Sequence, residues 1–183
     1  GIAHSDIKGR AIWCTFDTPI ETAHLAVVPT GGLSGSNTVD MLAELEVMGS
    51  TLDDEGLTQI PSSAFDATVA FRGTDSNQEN PNSPLSNLFD GDFNTMWYPK
   101  DPVSEGYYNL KPFIQIAFKN GKEYRIDKVR IYGRIDEGKV NSQFPENIKI
   151  ATSSDGTAYT DITVMENINI GDRPSINFTY TDI

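Results

Sequence analysis

Six short runs in this chain place apolar residues at every second position, and that two-residue period constrains the fold more than any other feature. They are 113–118 (FIQIAF), 128–132 (KVRIY), 147–154 (NIKIATSS), 161–164 (DITV), 167–170 (NINI) and 176–180 (INFTY). Successive side chains of a pleated strand leave on opposite sides, so this alternation marks strands with one face buried and one face wet. The separators are turn chemistry: 119–122 (KNGK) and 153–157 (SSDGT) each carry an Asx-Gly pair, which tolerates the positive φ of tight turns. The first 48 residues behave alike, with 11–16 (AIWCTF), 23–28 (AHLAVV) and 41–49 (MLAELEVMG) divided by Pro and Gly. Only 39–48 (VDMLAELEVM) is also compatible with a helix, being rich in good helix formers. The expected fold class is all-β, a two-sheet antiparallel sandwich.

A length of 183 residues suits one domain, or one domain plus a piece of another. The formal net charge of -12 argues against nucleic acid, because a phosphate-binding surface needs a basic stripe. Lys and Arg are scattered singly, which speaks equally against anionic membranes. An acidic surface suits divalent cations and neutral ligands such as sugars. Cys14 is the only cysteine, so no disulfide forms within the chain, and its apolar neighbours mark a buried, inert thiol. Two histidines, His4 and His24, leave little room for zinc sites or His-based triads. No apolar run of about 18 residues is present to span a membrane. No signal-peptide pattern opens the chain, and a start at Gly1 is expected to fall short of the natural N-terminus.

The periodicity fades across 50–63 (STLDDEGLTQIPSS), which reads as a linker, and 74–84 (TDSNQENPNSP) reads as a long polar loop. Long loops on a rigid sandwich are a binding design, since loops carry function where a scaffold holds them.

Four segments, taken in order, resemble the discoidin, or coagulation factor V/VIII C-type, family. They are 83–99 (SPLSNLFDGDFNTMWYP), 113–118, 126–138 (IDKVRIYGRIDEG) and 144–162 (FPENIKIATSSDGTAYTDI). The shared pattern is a DG-x-x-x-T-x-W loop, a strand centred on Gln, a strand ending in Arg, and a strand closing on Ser-x-Asp-Gly. The resemblance covers residues 67–183 and implies a galactose-binding-like jelly roll. Bacterial members are often carbohydrate-binding modules attached to glycan-degrading or surface proteins. The strand order departs from the family's, whose last two strands would follow 175–183. Their counterparts stand at the other end, as 22–32 (TAHLAVVPTGG) and 41–49. In addition, 12–17 (IWCTFD) and 176–181 (INFTYT) read as two versions of one strand. Either the domain is circularly permuted, or the chain joins the tail of one unit to most of the next. The expected organisation is 1–49 as closing strands, 50–66 as linker and 67–183 as the main sandwich. The N-terminal strands would complete the sheets of one compact domain, because an open sandwich exposes core and edges.

Two readings suit the loop 87–99 (NLFDGDFNTMWYP). Calcium takes six to eight oxygens from carboxylates, carbonyls and hydroxyls, and Asp90, Asp92 and Thr95 supply several from one turn. The resemblance adds Glu44 in the closing strand, with the Ala43 and Leu88 carbonyls, to that ligand set. The alternative is an Asx-turn in which Asp90 and Thr95 only satisfy backbone amides. The resemblance implies that Trp97 is a core or corner aromatic, with sugar stacking as the alternative. A sugar site needs an aromatic face and planar hydrogen-bonding groups. The candidates are Tyr98, Tyr107 and Tyr108, with Arg134, which the resemblance marks as a ligand contact, and Asn141. Chance surface tyrosines, and an Arg134 paired to Asp136 or Glu137, are the plainer reading. His24 reads as structural.

No G-x-S-x-G, phosphate loop or H-E-x-x-H occurs in the sequence. Asp90 and Asp92 sit on one turn rather than across a cleft, so an enzyme is not expected. The leading expectation is a non-catalytic carbohydrate-binding module with a structural calcium, part of a larger secreted, surface or periplasmic protein. A structural or protein-interaction sandwich without a sugar site is the alternative.

Overall fold

The structure, a computed structural model, describes residues 2–5, 11–30, 42–53, 56–71, 79–99, 112–136, 139–140, 144–145, 147–166 and 179–182. In chain order the described strands begin β1 (Ile2–Ser5), β2 (Ala11–Thr22), β3 (His24–Thr30), β4 (Glu44–Thr51) and β5 (Thr58–Gln59). They continue β6 (Phe65–Phe71), β7 (Pro112–Phe118), β8 (Tyr124–Tyr132), β9 (Ile135–Asp136) and β10 (Lys139–Val140), then β11 (Asn147–Ser153), β12 (Thr160–Glu166) and β13 (Thr179–Asp182). One sheet runs β1-β2-β8-β4-β5 and the other β13-β12-β11-β3-β7-β6, with β9 and β10 forming a small ribbon. All the pairings are antiparallel. The chain is an antiparallel β-sandwich.

The alternation in the sequence becomes the core. Ile12, Cys14 and Phe16 of β2, Leu45 and Val47 of β4, and Ile126, Val129 and Ile131 of β8 line one inner face. Leu25 and Val27 of β3, Ile114 and Ile116 of β7, and Ile148 and Ile150 of β11 line the other. Trp97, Leu88 and Phe144, each at most 1% exposed, close the core from the loops. Burying such a side chain fully stabilises by roughly 1.5–3 kcal/mol, so these interleaved faces hold the two sheets together. Cys14 is buried at 0% exposure, a small apolar residue in function.

Strand partners depart from sequence neighbourhood. β3 inserts between β7 and β11, and β2 lies between β1 and β8, so residues 11–30 pair with residues about a hundred positions away. The Asn120-Gly121 turn, with φ of 60° and 64°, carries the chain from β7 in one sheet to β8 in the other. The Asp155-Gly156 turn, with Gly156 at φ 76°, closes a true hairpin between β11 and β12. The β2–β8 register breaks between Thr15 and Ile20, so Pro19, which has no N–H to give, falls where the ladder is interrupted. Gly49 is required by close approach: a Cβ there would lie 2.3 Å from the Arg125 carbonyl oxygen. The helix-compatible segment runs as strand from Glu44 onward, since pairing on both sides outweighs its helix propensity. Within the stretch expected as a linker, Thr58–Gln59 pairs with Met48 and Gly49, and Ile60 is 4% exposed. These residues cover the β4 edge, which a local period does not reveal. The expected runs at 167–170 and the start of 176–180 lie outside the described residues.

Candidate functional site

The loop between the 3-10 turn Leu85–Phe89 and Trp97 is organised by its own carboxylates. The Asp92 N–H donates to Asp90 Oδ1 at 2.7 Å, and the Asn94 N–H and Nδ2 both donate to Asp92 Oδ1 at 2.9 Å. These two hydrogen bonds from Asn94, backbone first, hold the Asp92 carboxyl below its ordinary range. Gly91 takes φ 76°, which lets the chain reverse between the two aspartates. Thr95 Oγ1 lies 2.8 Å from the Asp92 carbonyl, 3.0 Å from Asp90 Oδ2 and 3.5 Å from the Asn87 carbonyl. One hydroxyl proton cannot serve three oxygens, so this is a crowded, oxygen-rich point.

Backbone bonds pin the loop to the start of β4. Leu42 and Trp97 exchange N–H···O bonds of 3.1 and 2.8 Å, and the Ala43 N–H donates to the Tyr132 carbonyl at 2.8 Å. Phe93 packs edge-on against Tyr132 at 4.7 Å, beside Ala11 and Ala43. Glu44 is thereby covered. It points away from the core, opposite to Leu45, yet is only 2% exposed. Burial, reinforced by the nearby Asp90 charge and opposed in part by a hydrogen bond from the Gly91 N–H, pushes its carboxyl up to about 8. Its Oε2 has no hydrogen-bond partner.

Glu44, Ala43 and Leu88 are thus buried beside the turn that carries Asp90, Asp92 and Thr95, and the two aspartates are exposed. Among the described residues no three His, Cys, Asp or Glu side chains converge as a metal group on their own. A hard cation here would depend on carbonyl and hydroxyl oxygens as much as on carboxylates. The oxygen-only donor set and the orphaned Glu44 Oε2 fit calcium chemistry. The Asn87 carbonyl belongs with the oxygens around Thr95, and the sequence pattern did not single it out. Only the fold of the 3-10 turn brings it there.

Arg134 follows the end of β8 and sends Nη1 to the Met96 Sδ at 2.8 Å, so it meets the same loop. Tyr98, next to Trp97, is partly exposed. Tyr107, Tyr108 and Asn141 lie outside the described residues. Trp97 is 0% exposed and belongs to the core. His24 lies at the opposite end of the sandwich. Its N–H donates to Thr22 Oγ1 at 3.1 Å, and its ring sits about 3.0 Å from where a Cβ on Gly156 would stand.

A jelly-roll-like sandwich with a loop-borne polar site at one end is a class of binding module. The chain belongs to the F5/8 type C domain family, whose profile matches residues 72–182, more than half of its length. Comparison with curated proteins and with solved structures finds no match. The family consists of modules that bind carbohydrate, lipid or protein partners and are generally non-catalytic. No helix among the described residues is long and apolar enough to cross a membrane.

Proposed function

We propose that this chain is a non-catalytic carbohydrate-binding module carrying a structural calcium, and that it works at the cell surface or outside it as part of a larger glycan-processing protein. The observation that carries the reading is the buried Glu44 carboxyl, whose Oε2 has no hydrogen-bond partner, set against the oxygens of the Asp90 loop. Calcium would be held by Asp90, Asp92, Thr95 and Glu44 with the Ala43 and Leu88 carbonyls. Bound there, it would supply the positive charge that offsets three carboxylates and would tie β4 to the loop. Its part is structural. Sugar would meet Arg134, which borders the same loop through Met96, together with Tyr98 and, from outside the described residues, Tyr107, Tyr108 and Asn141. The planar guanidinium donates to paired hydroxyls and the tyrosines cover the apolar face of the ring.

Two features speak for a binder over an enzyme. Asp92 has a lowered pKa, the reverse of what a general acid needs. Glu44 has a raised one, but at 2% exposure it does not reach a substrate. Thermal unfolding tests the reading, because a ligand of the native state raises the midpoint by mass action. Calcium should raise it, EDTA should lower it, and Asp90→Ala should erase the difference. A mono- and oligosaccharide panel should then include one member whose added rise disappears in Arg134→Ala. Indifference to every sugar would leave a protein-interaction sandwich. Indifference to calcium would return the loop to an Asx-turn.

A further inference from the structure

Cross-strand register builds a second polar row on the outer face of the five-stranded sheet. Trp13 of β2 stands opposite Arg130 of β8, and Arg130 stands opposite Glu46 of β4. All three sit on the face away from the core, because Cys14, Val129 and Val47 occupy the inward positions. Arg130 Nη1 bonds Glu46 Oε2 and the Tyr132 hydroxyl, both at 3.1 Å, so the guanidinium is fixed in place. Its carbon lies 5.6 Å from the centroid of the Trp13 ring, and Lys128 Nζ lies 5.8 Å from it. Among the described residues no carboxylate pairs with Lys128. The row therefore holds a half-buried indole, an anchored guanidinium, a carboxylate, a phenol and an ammonium set over the indole ring.

We propose that this row is a binding site for a saccharide ring carrying one anionic substituent, a carboxylate or a sulfate. The indole takes the apolar face of the ring, and Lys128 leaves its cation–π contact to meet the anion. Glu46 and the Tyr132 hydroxyl accept and donate to neighbouring hydroxyls. Glu46 also decides against an acidic peptide, as does the net charge of -12. A chain of many negative charges would be repelled there, whereas one charge among hydroxyls satisfies cation and carboxylate together. The row runs along β8 toward the Arg134 end, with Tyr132 between the two, and the proposal stands whether or not neutral sugars bind at Arg134.

Calorimetric titration of the whole chain with methyl galacturonoside, galactose 6-sulfate and methyl galactoside separates the cases. Trp emission gives a second readout, since Trp97 is 0% exposed and Trp13 is half-buried. At least one singly charged sugar should bind, the neutral one should not, and added salt should weaken binding. Lys128→Gln, a surface change that leaves the fold intact, should weaken it about tenfold, roughly one charge-assisted contact. Trp13→Ala should abolish it, and Arg134→Ala should leave it unchanged. The proposal is overturned if neither charged sugar binds, if the neutral sugar binds as well, or if Lys128→Gln and Trp13→Ala retain parent affinity. Loss in Arg134→Ala alone would assign the sugar to the Asp90 loop beyond Tyr132 and overturn the proposal.

Discussion

Replacing Glu44 by Gln should stabilise the calcium-free protein at neutral pH, although it removes a residue of the candidate metal site. The folded carboxyl sits at about 8 against an ordinary 4.5. A raised acid pKa means that the folded state releases its proton less readily than the unfolded chain. The contribution of Glu44 is therefore fully present below about pH 4.5 and is lost as pH rises toward 8. At pH 7 the chain has crossed about 2.5 of those pH units, each costing about 1.4 kcal/mol, so about 3 kcal/mol is forfeited. At 2% exposure there is little solvent screening to reduce that figure. Gln keeps the volume and carries no charge, so Glu44→Gln should recover about 3 kcal/mol in EDTA at pH 7. For a chain of this length that is a rise of roughly 6–12 °C in Tm. The assay is thermal or urea unfolding of parent and variant in EDTA across pH 4.5–8, then in calcium at pH 7. The two should coincide near pH 4.5 and diverge steadily above it. Calcium should then raise the parent and do little for the variant. A variant less stable than the parent at pH 7 in EDTA, or a gap that does not grow with pH, would refute the reasoning.

Proton and calcium should compete for Glu44, so apparent calcium affinity at pH 6 should be weaker than at pH 8 by up to about tenfold per unit, read by calorimetry. Gly49→Ala places a Cβ 2.3 Å from the Arg125 carbonyl oxygen. It should cost about 3 kcal/mol in urea unfolding, at the upper end of overpacking, because a backbone atom is in the way. Gly156→Ala should lose about 1 kcal/mol or more, from its φ of 76° and from contact with the His24 ring. In a double-mutant cycle His24→Ala should relieve the contact and leave only the backbone part. Leu88→Ala, at 0% exposure beneath the loop, should cost about 2–5 kcal/mol and should weaken any calcium response along with it.

Much of the fold was legible because the period of a strand is local. Alternation at 113–118, 128–132 and 147–154 marked β7, β8 and β11, and Ile114, Ile116, Val129, Ile131, Ile148 and Ile150 face the core as it indicates. Phe113 and Ala151 are buried on the opposite face, in a second cluster that alternation did not reveal. The two Asx-Gly pairs marked turns, and positive φ is taken by Asn120 and Gly121 in one and by Gly156 in the other. The loop around Asp90 announced itself by its density of turn residues, whereas the burial of Trp97 was expected from the family resemblance alone. The sequence did not tell that the 119–122 turn crosses between sheets while the 153–157 turn makes a hairpin, because both turns need the same local chemistry. It did not reveal that 58–60 pack on β4, since two paired residues carry no period. The Asn87 carbonyl was likewise invisible, as a main-chain atom has no signature in a sequence.

Local chemistry thus determined which residues of each strand face the core and where the chain turns, because propensity and period act over a few residues. Register and coverage were decided only by the tertiary structure. Trp13, Arg130 and Glu46 come from three strands far apart in sequence and form one row only because β2, β8 and β4 pair in that register; a slip of one residue would send each to the other face. The state of Glu44 has the same origin. Its neighbours in the chain place it on a strand, but the loop that folds over it from some fifty residues away removes its water and lifts its carboxyl to about 8.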